Sequence, residues 1–300
     1  MGNRRMSTGR FEALLDNLLT NEKLNGVNGS PFIIRNPNRI YLEEYFVKLP
    51  AINADIQNSA EGTNEIANPN FELLGTSATT GDVTFGAAAG TPGGIKIEHD
   101  GSNGDQVIIL PHLDTTQSLW GVADQWGSEN SVQWEAAITT GTAIDLQTIW
   151  AGLKKTNTQN AETDTDQAFF VYASTDDDWA GGELADNGLL HFVVSSGGTD
   201  YVSALPITVA ASTNYRLGIS IDSDRKVSCF VNGVQYNVTG TSDDISSGET
   251  GCGVSVTTGT GKSVALANDI SLVPYVGIMG TGAAKHFFLH YEKISRILFE

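Results

Sequence analysis

Three sets of residues have types and spacing that could do chemistry. Glu162, Asp164 and Asp166 alternate along the chain. On a strand, residues i and i+2 lie about 6.6 Å apart on one face, close to the separation of a nucleophile and an acid in glycoside hydrolysis. Residues 156–167 lack the apolar alternation that would seat them in a sheet. A solvated acidic loop is the expectation, and no catalytic residue is assigned. Asp176, Asp177 and Asp178, followed by Trp179, concentrate carboxylates of the kind that suit calcium. They lack the spacing of an EF-hand loop, and a solvated turn is the plain alternative. His286 and His290 stand four apart, as zinc ligands do on a helix. Their segment reads as a strand, where they would be about 13 Å apart, so they are treated as ordinary polar positions. No cofactor is expected, with calcium left open.

Aromatic side chains offer a different chemistry, stacking against sugar rings. Trp134 and Trp150 fall in strand-like runs and read as core. Trp120 and Trp126 fall in a loop. With Asp176, Asp177, Asp178 and Trp179 they form the candidate glycan-binding set. Gly251 and Gly253 around Cys252, and Gly259 and Gly261, lack the lysine and the strand–helix setting of a phosphate loop.

The elements that must position these residues are short strands. Candidate runs fall at 71–74, 82–85, 94–98, 106–110, 131–138, 148–154, 168–173 and 189–194. They continue at 201–205, 214–221, 227–232, 234–238, 253–256, 272–278 and 285–298. Val132, Trp134, Ala136 and Ile138 alternate on one face. Asn232 and Gly233 between two such runs predict a tight type I′ hairpin, whose two central residues need positive φ. The fold class that follows is all-β, an antiparallel jelly-roll β-sandwich.

The first fifty residues differ from the rest. They carry seven basic and five acidic side chains, a local charge of +2, whereas the chain is −18; the remainder is therefore −20. Phe11, Leu14, Leu15, Leu18 and Leu19 fall at helical spacing and predict an amphipathic helix over 8–23. A helix this short needs burial, either on its own body or on a partner. Arg4, Arg5 and Arg10 precede or open it. These eight residues are the partner-docking candidates. The expected organisation is a basic arm and helix over 1–50, a linker over 51–70 and a sandwich over 71–300. The acidic body argues against nucleic acid and anionic membrane as partners. No apolar run is long enough to span a bilayer, and no cleavable signal is expected. Cys229 and Cys252 read as buried free thiols, with a disulfide between them left open.

Residues 214–238, NYRLGISIDSDRKVSCFVNGVQYNV, resemble the concanavalin A-like (laminin G-like) jelly roll: strand, polar turn, strand ending in Val-Asn-Gly, returning strand. Residues 272–298 look like the closing strands of such domains. The resemblance fixes a fold and leaves the activity open. Glycosidases of this fold carry a Glu-x-Asp-x-Glu type motif, from which Asp166 departs. Separately, the opening GNRRMSTGRFEALLDNLL resembles the starts of structural proteins of marine bacteriophage virions. That resemblance implies a non-enzymatic virion component, a capsid decoration protein or head-fibre subunit. Its partners would be the major capsid protein or neighbouring subunits, as a homo-oligomer within the phage particle, made in the host cytoplasm. The alternative is a glycan-binding lectin-like module, and behind it a glycoside hydrolase.

Overall fold

The computed structural model describes residues 39–47, 52–53, 71–86, 94–102, 104–110, 126–155, 164–174, 184, 188–243, 245, 252–280 and 282–297. Seventeen strands are assigned. They are β1 (Arg39–Glu44), β2 (Ile52–Asn53), β3 (Phe71–Leu74), β4 (Val83–Phe85), β5 (Ile95–Glu98) and β6 (Asp105–Leu110). Next come β7 (Gln133–Thr140), β8 (Gln147–Lys154), β9 (Gln167–Ala173), β10 (Leu189–Ser196), β11 (Thr199–Thr208) and β12 (Asn214–Ile221). The last are β13 (Val227–Val231), β14 (Val234–Tyr236), β15 (Val254–Ser255), β16 (Val273–Gly280) and β17 (His286–Ile297).

They form two sheets. The 8-stranded sheet runs β14-β13-β12-β7-β17-β5-β4, with β1 also paired to β17. The 9-stranded sheet runs β15-β11-β10-β9-β8-β16-β6-β3-β2. All pairings are antiparallel except β2 with β3 and β11 with β15. This is the expected jelly-roll sandwich. Consecutive strands joined by crossovers bring distant segments side by side, and the closing strand β17 lies between β7 and β5.

The main core lies between the sheets and includes Phe71, Ile97, Trp134, Phe170, Phe192, Phe287 and Ile294. A second apolar cluster covers the other face of the 9-stranded sheet, with Trp150, Phe169, Val193, Tyr275 and Met279 under Leu184, Ile245 and Cys252. The two clusters explain the sequence pattern: β8, β9 and β16 are buried at every position, so they read as continuous apolar runs. The alternating β5 is buried on one face only. Between the sheets, Ile138, Phe170, Tyr215 and Leu217 border a cavity of about 20 Å³, room for a single water and too small for a sugar ring.

Several expectations need correction. Arg39–Glu44 was assigned to the arm, yet it pairs residue for residue with the closing strand, from Arg39 opposite Ile297 to Glu44 opposite Glu292. The Arg39 guanidinium also donates to the Ser131 carbonyl and the Ser295 hydroxyl. The sandwich therefore begins by residue 39. Ile52–Asn53, placed in the linker, forms an edge strand on β3. Trp150 packs in the second cluster rather than between the sheets. The amphipathic helix over 8–23 lies outside the described residues. The hairpin is as expected, with φ 51° at Asn232 and 83° at Gly233.

Candidate functional site

The outer face of the 8-stranded sheet carries the best-defined constellation of polar and aromatic groups. Strand alternation decides which residues reach it. Trp134, Ala136 and Ile138 of β7 point into the core, which turns Glu135, Ala137 and Thr139 outward. Tyr215, Leu217 and Ile219 of β12 point inward, which turns Asn214, Arg216 and Gly218 outward.

In β17 the alternation is broken. Phe287 and Leu289 face the core, and so do Ile294 and the fully buried Glu292. The register shifts between Leu289 and Tyr291, so His290 is the extra residue of a bulge. The bulge puts His290 and Tyr291 on the same outer face and shifts the phase of every residue after them.

Register then places these side chains in rows. Arg216, Ala137 and Tyr291 lie side by side on three neighbouring strands. With strands about 4.8 Å apart, Arg216 and Tyr291 stand about 10 Å apart with only the Ala137 methyl between them. The next row is Gly218, Glu135, Lys293 and Glu43. On the other side, Asn214, Thr139 and Phe288 form a third row, to which the bulge adds His290.

The groups are tied together. Tyr291 donates its hydroxyl to Glu135 Oε1 at 2.5 Å. Burial first, and the facing carboxylate second, push the Tyr291 phenol well above its usual range, so it stays a proton donor. The Lys293 ammonium sits 4.5 Å from the Tyr291 ring centroid and 4.9 Å from that of Tyr45, cation–π distances. The two rings are 6.0 Å apart, inclined at 50°. Tyr45 remains 48% exposed and donates to Glu43 Oε2 at 3.0 Å. Thr139 Oγ1 contacts His290 Nε2 at 2.6 Å and hydrogen-bonds the Asn214 side chain. Beneath the face, Trp134 Nε1 donates to Glu292 Oε1 at 2.8 Å.

From sequence, His290 is read only as an ordinary polar position and Trp134 only as core, and the outer-face residues Tyr45, Glu135, Thr139, Asn214, Arg216, Tyr291 and Lys293 carry no signal. The candidates singled out from sequence fare differently. Trp126, expected in an exposed loop, is fully buried in the main core, where no sugar reaches it. Trp120, Asp176, Asp177, Asp178 and Trp179 lie outside the described residues, as do Arg4, Arg5, Arg10, Phe11, Leu14, Leu15, Leu18 and Leu19.

Asp164 and Asp166 are buried rather than solvated. Asp164 accepts the Lys155 amide at 2.8 Å, and Asp166 Oδ1 accepts the amides of Gly197 and Ala267. Both carboxylates pin loops. His286 pairs with Glu98 at 3.3 Å. Among the described residues, no group of three or more His, Cys, Asp or Glu side chains could hold a metal. Cys229 and Cys252 are both buried, in different apolar clusters, and no disulfide joins them.

No protein-family model and no curated protein matches this sequence. Solved structures do resemble it. A protein of unknown function from Shewanella oneidensis MR-1 aligns over 99% of this chain and 98% of its own, at 10% identity and a TM-score of 0.48. The potassium-bound carbohydrate recognition domain of Emp46p covers 84% of this chain and 97% of its own, at 8% identity and TM-score 0.42. A β-1,3-glucanase from Mycobacterium marinum covers the same shares, 84% and 97%, at 8% identity and TM-score 0.41. These are likenesses of fold alone, at 8–10% identity and TM-scores below 0.5.

The expectation of a non-enzymatic chain does not stand against this set, which also holds an alginate lyase and a sialidase. The physical reason is plain. A sheet face assembles groups from strands far apart in sequence, so a failed search for a local carboxylate motif excludes nothing. The expectations of a virion, a capsid and a phage origin find no support in these likenesses.

Proposed function

We propose that this protein binds carbohydrate on the outer face of its 8-stranded sheet. The observation that carries the reading is the pair of inclined tyrosines, Tyr45 and Tyr291, held around the Lys293 ammonium at the edge of a row of polar side chains. A sugar presents an apolar C–H face and a rim of hydroxyls. Tyr45, half open to solvent, offers the first a platform. Asn214, Thr139 and His290 offer the second a set of donors and acceptors already linked to one another. The floor between Arg216 and Tyr291 bears only the small Ala137 side chain, itself 9% exposed. Groups fixed by mutual hydrogen bonds lose little freedom on binding, which favours affinity.

The docking arm and the place in a phage particle rest on residues outside the described ones, and no observation on the described residues favours them. The test is a glycan array, with and without calcium, followed by calorimetry on any hit. Tyr45→Ala leaves the core untouched and is expected to weaken binding about tenfold, the equivalent of ~1.4 kcal/mol of lost stacking. Binding that ignores Tyr45→Ala, or an array without hits, would overturn the reading.

A further inference from the structure

Among the described residues, the Arg216 guanidinium, the Lys226 ammonium and the buried Arg296 Nε lack a hydrogen-bond or ion-pair partner, and of these Arg216 lies in the row of Ala137 and Tyr291. The chain holds 35 acidic and 17 basic side chains, so carboxylates outnumber their partners. Lys96, Lys262 and Lys285 each make an ion pair, at 2.8, 2.7 and 2.9 Å. Arg39 and Arg225 donate to main-chain carbonyls. The Arg216 guanidinium makes no hydrogen bond or ion pair with the described residues, although its backbone is fixed on both sides. Its amide donates to Asn232 Oδ1 at 2.9 Å and its carbonyl accepts the Asn232 amide at 2.8 Å. The nearest carboxylate in the row scheme, Glu135, is engaged by Tyr291 at 2.5 Å.

Resting on the carbohydrate-binding reading, we infer that Arg216 takes the carboxylate of an acidic sugar whose ring lies over Ala137 toward Tyr291. A guanidinium fork matches a carboxylate with two parallel hydrogen bonds. A neutral sugar would leave that fork facing hydroxyls only. The net charge of −18 repels an acidic ligand at long range. At physiological salt that repulsion is screened beyond about 8 Å, whereas contact with Arg216 is not. The local pair therefore decides.

The experiment is calorimetry at physiological ionic strength on the full chain. The probes are trigalacturonate against galactotriose and 3′-sialyllactose against lactose, with a sulfated galactose trisaccharide as a further anion. The wild type is expected to bind at least one carboxylated probe ten times or more tighter than its neutral counterpart. Arg216→Gln should bring that ratio to about one, and Arg216→Lys should recover part of it. The sulfated probe should bind more weakly than the carboxylated ones. Thermal melting confirms that both variants fold. Equal binding of acidic and neutral probes, or a ratio unmoved by Arg216→Gln, overturns this inference and leaves the carbohydrate reading standing. A sulfated probe that binds tightest overturns the carboxylate assignment. If the array above is also empty, both readings fall together.

Discussion

Glu292 makes the most quantitative prediction. Its carboxyl is 0% exposed, lies in the inter-sheet core and receives one hydrogen bond, from Trp134 Nε1. Its second oxygen has no partner among the described residues. Burial penalises the charged form and pushes its pKa up from 4.5 to about 7. The sign follows from linkage. Between about pH 4.5 and 7 the unfolded chain ionises this group while the folded chain keeps it protonated. Stability is therefore fully present below the unfolded pKa and declines by ~1.4 kcal/mol per pH unit up to about 7. The whole shift is equivalent to ~3 kcal/mol, a large share of the ~5–15 kcal/mol stability of a domain. Glu292→Gln keeps an acceptor for the Trp134 N–H and cannot ionise. Urea unfolding of both proteins at pH 5 and pH 8 measures the effect. The stability difference, variant minus wild type, should rise by ~3 kcal/mol between the two pH values. Asp105 titrates in the same window, pushed up to about 6 chiefly by burial. It is present in both proteins and cancels in the difference. A difference that stays constant within ~0.5 kcal/mol, the usual limit of additivity for independent sites, would refute the argument.

Two further outcomes follow from packing. A Cβ at Gly152 would lie 2.4 Å from the Ala168 carbonyl oxygen and 2.5 Å from Phe169 Cα, both backbone, so Gly152→Ala must push β9 away from β8. A loss of ~1–3 kcal/mol and a melting temperature several degrees lower are expected; an unchanged melting curve would contradict the close approach. Cys229 is fully buried and its thiol is pushed up to about 12, first by burial, so a soluble alkylating reagent at pH 8 should leave it unlabelled in the native protein and label it rapidly in urea. Native labelling of Cys229 by peptide mapping would show that the sheet edge β12–β13–β14 opens.

Much of the architecture can be read from one property of the sequence, alternation, and the site could not be, for a reason that alternation makes clear. Period two divides a strand into two faces but does not say which strand is its neighbour. Val132, Trp134, Ala136 and Ile138 are legible as one face, and all four face the core, Val132 from the position just before β7. That Glu135 then lies between Gly218 and Lys293 depends on pairings spanning more than 80 residues on one side and 150 on the other. Continuous apolar runs mislead differently. Trp150 and Ile149 both look like core because both are buried, but they belong to opposite faces of one sheet. Trp126 looks like a loop residue because its neighbours are polar, while the ring itself fills the core and Leu272 donates its amide to the Trp126 carbonyl.

The bulge at His290 is the least legible feature and the most consequential. In HFFLHYEKISRI a regular strand with Phe287 and Leu289 inward would also turn Tyr291 and Lys293 inward and Glu292 outward. One extra residue reverses this. It brings Tyr291 and Lys293 to the outer face and buries a glutamate instead. The sequence pattern alone does not decide between the two, since the bulge buries Glu292 and the regular strand would bury Lys293 instead. What offsets the cost of burying Glu292 is the Trp134 indole, two positions along β7 from the Ala136 that faces Glu292, together with the protonation that burial imposes. The proposed ligand face and the buried carboxyl are thus two consequences of the same inserted residue. Deleting His290 should therefore affect both at once, removing the Glu292 share of the pH-dependent stability and glycan binding in a single variant. Loss of one without the other would separate the face from the bulge.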